Sequence, residues 1–176
     1  MAPWLYEMSV VIFIRKLKTL RQVLEKGEKW LKDNDLPESI LIESRLTPDM
    51  HPLRFQVQTC CDDSEKLLRR MIDAKIEVPP REEKTFAELY ARIEKALSWL
   101  ESAKAEDFEG IEEKDIVFSA GPYQVKYDGK TYVQEVALPN FLFHDTIAYA
   151  LLRKEGVPLG KFDFVGLPSK GMEKKE

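Results

Sequence analysis

From Pro139 to Arg153 the chain reads as a helix with apolar side chains on nearly every face. Such a helix has no side to turn toward water, so it is stable only where other helices cover it. That requirement alone points to a helical bundle. The same stretch carries His144, Tyr149 and Arg153, and a buried polar group costs free energy unless it is partnered. These residues are therefore the first candidates for function.

The rest of the chain supplies the covering helices. Phe13, Leu17, Leu20, Leu24, Gly27 and Leu31 recur at spacings of three and four, one apolar stripe along a helix from about Ser9 to Lys32. Gly27 on that stripe permits a close helix approach. A second long helix begins near Pro48 to Pro52. With Asp49 as its cap, Pro52 falls in the first turn, where its missing N–H is not needed. Leu53, Val57, Cys60, Ser64, Leu67 and Met71 form its inward stripe. Residues 76–84, with Pro79-Pro80, read as a linker. Thr85 and Glu88 form a capping box that opens a third helix, whose stripe is Phe86, Leu89, Ile93, Ala96, Leu100 and Ala103. Glu106 to Asp115 is a charged connection. Alternation then replaces helical spacing: Tyr123 to Tyr127 and Thr131 to Val136 predict a β-hairpin around a type I′ turn at Asp128-Gly129. The last helix runs from Asn140 to about Lys154 and is stopped by Gly156 and Pro158. The expected fold is mainly all-α: an up-down four-helix bundle with a small hairpin before the last helix. Residues 1–168 form the single domain, and 169–176 form a flexible tail.

Composition narrows the function classes. A length of 176 residues suits one domain, and 44% apolar with 33% charged residues is globular. A net charge of −4 argues against a nucleic-acid binder. Cys60 and Cys61 are adjacent and are expected to be reduced and structural, because neighbours on a helix do not reach disulfide geometry. The early apolar run Val10 to Ile14 is too short to span a membrane. No basic segment precedes it, so a cytoplasmic location without membrane attachment is the expectation. There is no phosphate loop, dinucleotide fingerprint, zinc-cysteine spacing or nucleophile elbow.

Several ordered blocks resemble a known family. Arg45-Leu-x-Pro-Asp49-Met-x-Pro-Leu53-x-x-Gln56-Val-Gln58 comes first and Thr85-Phe-Ala-Glu-Leu89 second. Pro139-Asn-Phe-x-Phe-His144, Ala148-Tyr149-Ala-x-Leu-Arg153 and Gly160-Lys161-x-Asp163-Phe164 follow. Together they resemble the DUF1993 family, assigned to the DinB/YfiT-like superfamily of four-helix bundles. The resemblance covers most of the chain and implies the fold. The wider superfamily often holds a divalent metal with three histidines, one from the second helix and two from the last, one turn apart. Here the only histidines are His51 and His144, and Ala148 stands one turn after His144. The usual triad is broken, so the expectation is no cofactor and no bound metal.

The candidate residues divide between bland and chemical roles. His144 is either a core histidine satisfied by a carbonyl or carboxylate, or a general base, since imidazole titrates near neutral pH. Gln56 borders the inward stripe of the second helix and is placed to line the same space as His144. Asp49 and Tyr149 complete the candidate binding set with Arg153 and Tyr123. Their bland roles are a helix cap for Asp49, a core tyrosine for Tyr149, a dipole partner for Arg153 and cross-strand packing for Tyr123, Tyr127 and Tyr132. Arg45 is expected to pair with Asp49 or Asp163, and Lys161 and Asp163 to anchor the C-terminal segment. The leading reading is a bundle that binds a small apolar or aromatic molecule. It performs cofactor-independent acid–base chemistry as an isomerase, cyclase or lyase of secondary-metabolite type, with His144 as base. One alternative is a DinB-like metalloenzyme using His51, His144 and a carboxylate such as Asp49 or Asp145. The other is a non-catalytic binding or oligomerisation module; self-association as a homodimer is left open.

Overall fold

A computed structural model describes residues 3–166; the tail expected over 169–176 lies outside the described residues. The principal elements are helices α1 (Ile12–Asp33), α2 (Leu53–Ile72) and α3 (Phe86–Ser102), strands β1 (Ile116–Ala120) and β2 (Tyr123–Tyr127), helix α4 (Leu138–Lys154) and the short helix α5 (Lys161–Val165). A helical turn, Ser39–Ile42, lies between α1 and α2. Helix α1 packs on α3 and α4, and α2 packs on the same two, so the order around the core is α1, α3, α2, α4. The expected helical bundle forms, and α4 is held between the two helices that supply its covering faces. No helix among the described residues is long and apolar enough to cross a membrane.

The periodic stripes become the core. Phe13, Leu17, Leu20, Leu24 and Leu31 of α1 are buried, with Leu53, Val57, Cys60 and Leu67 of α2 and Phe86, Leu89, Ile93 and Leu100 of α3. Phe13 meets Phe141 of α4 at a ring-centroid distance of 4.2 Å, which joins opposite ends of the chain. Gly27 makes the predicted close approach: a Cβ there would sit 3.0 Å from Leu152 Cδ2 of α4. Thr85 and Glu88 form the predicted capping box of α3.

The long helices are interrupted twice without being broken. A π-helical segment, Glu7–Val11, leads into α1, and another, Val133–Ala137, leads into α4. The two segments pack against each other. Each has a local cause. Ser9, in the first, donates from its hydroxyl to Leu5 O in the turn before it, a back-bond that bends helices. Pro139, just after the second, has no N–H and crowds the preceding turn; widening that turn relieves the clash.

Three boundaries differ from the sequence reading. The hairpin pairs Ile116–Ala120 with Tyr123–Tyr127, Ile116 opposite Tyr127 and Ala120 opposite Tyr123. It turns at Gly121-Pro122, not at Asp128-Gly129, and Thr131 to Val136 is helical. Asp128 caps that helix instead, accepting from Thr131 N (2.8 Å) and from the Thr131 hydroxyl (2.7 Å). The helix into α4 thus begins at Gly129, well before Asn140. Helix α2 takes Pro52 as its N-cap with no side-chain cap, so Asp49 does not cap it. The connection after α3 also buries Phe108, which packs edge-on against Tyr6 at 5.6 Å.

Gly129 is fixed by space: a Cβ there would lie 2.3 Å from Ile111 O. Gly129→Ala is expected to destabilise the protein by about 1–3 kcal/mol. Asp128→Ala should cost about 1 kcal/mol through the lost cap. Urea denaturation checks both, and an unchanged midpoint for Gly129→Ala would contradict the close approach.

Candidate functional site

The region around His144 is built from the start of α2, the linker before α3 and the edge of α4 that meets α2. Gln56 lies in the first turn of α2 and is 2% exposed. Its amide bridges two neighbours: Nε2 donates to His51 O at 3.0 Å, and Oε1 lies 2.7 Å from His144 Nδ1. The first bond fixes which end of the amide faces His144. An oxygen faces the ring, so Nδ1 carries the proton and donates, and Nε2 is left with its lone pair. No described side chain hydrogen-bonds to Nε2. Burial pushes His144 below the ordinary imidazole value. Asp63 works against that shift, and Lys66 and Arg81 reinforce it. The ring is therefore a neutral base at neutral pH, half-buried and held in one tautomer.

Aromatic groups surround it. His51 stacks on Phe55 at 3.8 Å with an interplanar angle of 16°. Phe55 and Phe143 meet the His144 ring edge-on at 6.1 Å and 5.2 Å. Arg81, from the linker, lies over Phe55 at 4.6 Å. The linker is pinned by Arg92, 4% exposed, which pairs with Asp62 at 2.6 Å and with Glu83, and donates to Pro79 O and Pro80 O. Phe143 is 54% exposed, so the ring lies among aromatic side chains at the surface rather than in a sealed chamber.

The structure brings together His144 and Gln56 of the predicted set and separates the others. Asp49 is exposed and accepts from the Thr47 hydroxyl, which holds its carboxyl below the usual range. Tyr149 packs against Phe164 of α5 at 5.4 Å. Arg153 donates to Val157 O at 3.2 Å beyond the end of α4. Tyr123 is 72% exposed on β2. Arg45 donates to Met50 O instead of pairing with Asp49 or Asp163. Asp163 pairs with Lys26 and accepts from Gly160 N (2.7 Å), tying α5 to α1. Cys60 and Cys61 are fully buried free thiols, and burial pushes both thiols up. Phe55, Arg81 and Phe143 escaped the sequence reading. The only signal for Phe55 was its place one turn after His51.

Among the described residues no three His, Cys, Asp or Glu side chains converge as a metal-binding set. His144 Nδ1 is engaged by an amide, Ala148 is fully buried with no donor atom, and His51 lies against Phe55. The residues present do not fit the three-histidine metal site of the wider superfamily.

Comparison with known proteins agrees with the fold. The model of a family described as a domain of unknown function (DUF1993) matches residues 5–165. The crystal structure of a DinB family member from Shewanella denitrificans superposes with a TM-score of 0.87 at 32% identity, covering 96% of each chain. No curated protein matches the chain.

The tautomer and the shift are directly measurable. In an imidazole ¹⁵N–¹H spectrum His144 should appear as the Nδ1–H form and titrate below 6.5. Because the unfolded ring takes up its proton first as pH falls, His144 should subtract stability below that value. Gln56→Glu should move the midpoint up by placing a carboxylate at Nδ1. A His144 signal in the Nε2–H form would overturn the assignment.

Proposed function

The chain belongs to the DUF1993 family, a domain of unknown function with a DinB-like fold, and from that premise we propose that it binds a small aromatic molecule and moves a proton with His144. The observation that carries this reading is the amide bridge through Gln56. Gln56, itself oriented by a backbone carbonyl, satisfies Nδ1 as a buried ring nitrogen requires, and in doing so it also sets the tautomer. That arrangement leaves Nε2 as a defined lone pair beside Phe55 and Phe143. An aromatic substrate stacks on such walls, and its acidic C–H or phenolic proton is taken by Nε2. The reaction class is an enolisation, isomerisation or elimination that needs a base and no cofactor. Gln56 acts as a positioning residue: it holds the ring and its tautomer without touching substrate.

The test uses deuterium exchange at the α-carbon of aryl ketones and arylpyruvates in D₂O, followed by NMR. The protein should accelerate exchange in at least one aryl compound and leave alkyl analogues slower. His144→Gln keeps a hydrogen-bonding side chain but removes the base, and should lower the rate by about 10²–10⁴. Gln56→Glu should move the acidic limb of the pH–rate profile upward. Exchange unaffected by His144→Gln in a folded variant would remove the reading, as would a panel with no accelerated member.

A further inference from the structure

A separate cavity lies between α2, the hairpin and the helix that leads into α4. Its volume is about 360 Å³, at the small end of ligand pockets, and His144 is not among its lining residues. Asp63, Lys66 and Arg70 of α2 line one side, and Asn140 forms part of the lip. Phe118 of β1 and Val136 supply apolar wall.

The polar groups are unevenly satisfied. Asp63 is fully partnered: Lys66 Nζ pairs with it at 2.9 Å, and Asn140 Nδ2 donates to it at 2.6 Å. Arg70 has no carboxylate partner among the described residues. Its guanidinium lies over the Phe118 ring at 3.8 Å, and its one hydrogen bond runs from Nη1 to Tyr132 Oη at 3.2 Å. Its Nε is buried with no acceptor, an arrangement that costs free energy for a charged group. Tyr132, 2% exposed, accepts from Arg70 and has no acceptor for its own hydroxyl proton among the described residues. Burial pushes that hydroxyl up, so it keeps the proton at neutral pH. Two cations and one carboxylate thus line one small space with an apolar wall, and two donors, Arg70 Nε and the Tyr132 hydroxyl, are unsatisfied on residues that line it.

The geometry points to this cavity as a binding site for a small organic carboxylate with an aromatic or branched apolar body. The carboxylate accepts from Arg70 and from the Tyr132 hydroxyl, and its charge balances the cation that Asp63 leaves uncompensated. Arg–carboxylate contacts are among the stronger hydrogen bonds in proteins. Phe118 holds the guanidinium flat and offers the ligand an apolar face. The site stands independently of any chemistry at His144.

Benzoate is the probe, benzamide its neutral isostere and inorganic phosphate the anion without an apolar body. Benzoate should raise the melting temperature at constant ionic strength and should move the Arg70 Nε–H and Ser119 and Ala120 amide signals in ¹⁵N–¹H spectra of the unmutated protein. Arg70→Gln should weaken benzoate binding by at least about tenfold, and Tyr132→Phe should weaken it less. His144→Gln should bind benzoate as before. Equal effects from benzamide would overturn the proposal, and phosphate acting as strongly as benzoate would overturn the organic class. Unmoved Arg70 signals in the unmutated protein overturn it even if Arg70→Gln fails to fold.

Discussion

Helix α4 is mostly apolar in sequence, and the rest of the molecule is arranged around that fact, although Leu142, Phe143 and Thr146 stay exposed. It lies between α1 and α2, with α5 folded across α1 beside it. Most of its polar side chains are assigned to neighbours, and Thr146 faces solvent. Asn140 donates to Asp63 and His144 to Gln56, both on α2. Asp145 pairs with Lys16 on α1, Tyr149 packs on Phe164 of α5, and Arg153 caps Val157 O. The helix is therefore specified by its exceptions. Apolar packing alone leaves its rotation in the bundle loosely determined, and these partners fix it.

The Asp145–Lys16 contact shows how such an exception is tolerated. Asp145 is 2% exposed, and its carboxylate lies 2.7 Å from Lys16 Nζ. Lys16 meanwhile donates to Phe164 O at 2.7 Å and sits over the Phe164 ring at 3.6 Å. Asp145 Oδ2 receives no well-aligned N–H, so the contact is an ion pair more than a hydrogen bond. Burial pushes Asp145 up and Lys16 pulls it back. Buried pairs of this kind add little net stability but are costly to break by half. Lys16 accordingly ties three segments together, α1, α4 and the end of α5, at one point.

What the sequence made legible follows from the range of each signal. Helical periodicity is local and repeated, so the inward stripes of α1, α2 and α3 were readable, as was the Thr85–Glu88 box. Asp128-Gly129 misled because the same dipeptide serves a tight hairpin and a helix N-terminus. Only the distant Ile111 carbonyl, which excludes a Cβ at Gly129, decides between them. Pro52 displaced Asp49 for a similar reason: both are good starts, and tertiary packing of Leu53 selects one. At the site, His144 and Gln56 were legible because each falls on the inward edge of its own helix. Tyr149, five residues beyond His144, is rotated away from it and meets α5. The contribution of Arg81 depends on a linker whose path is set by Arg92, Asp62 and Glu83, and nothing in its local sequence announces that path.

Gln56 and Ala148 together set what His144 presents to its surroundings. A histidine that binds a metal normally has its second nitrogen anchored by an acceptor, which sets the tautomer and aims the lone pair. Gln56 performs that anchoring on His144, but Ala148 contributes no second ligand beside the lone pair. What remains is an oriented neutral imidazole without a metal set around it. Its charge environment supports the same state. Asp63 favours the protonated ring, but Asp63 is already paired with Lys66 and accepts from Asn140. Desolvation by burial is the largest influence and lowers the ring's pKa, and Lys66 and Arg81 lower it further. The balance leaves a neutral ring whose Nε2 lone pair has no partner among the described side chains. A neutral imidazole with a free lone pair is the state that the proposed proton transfer requires.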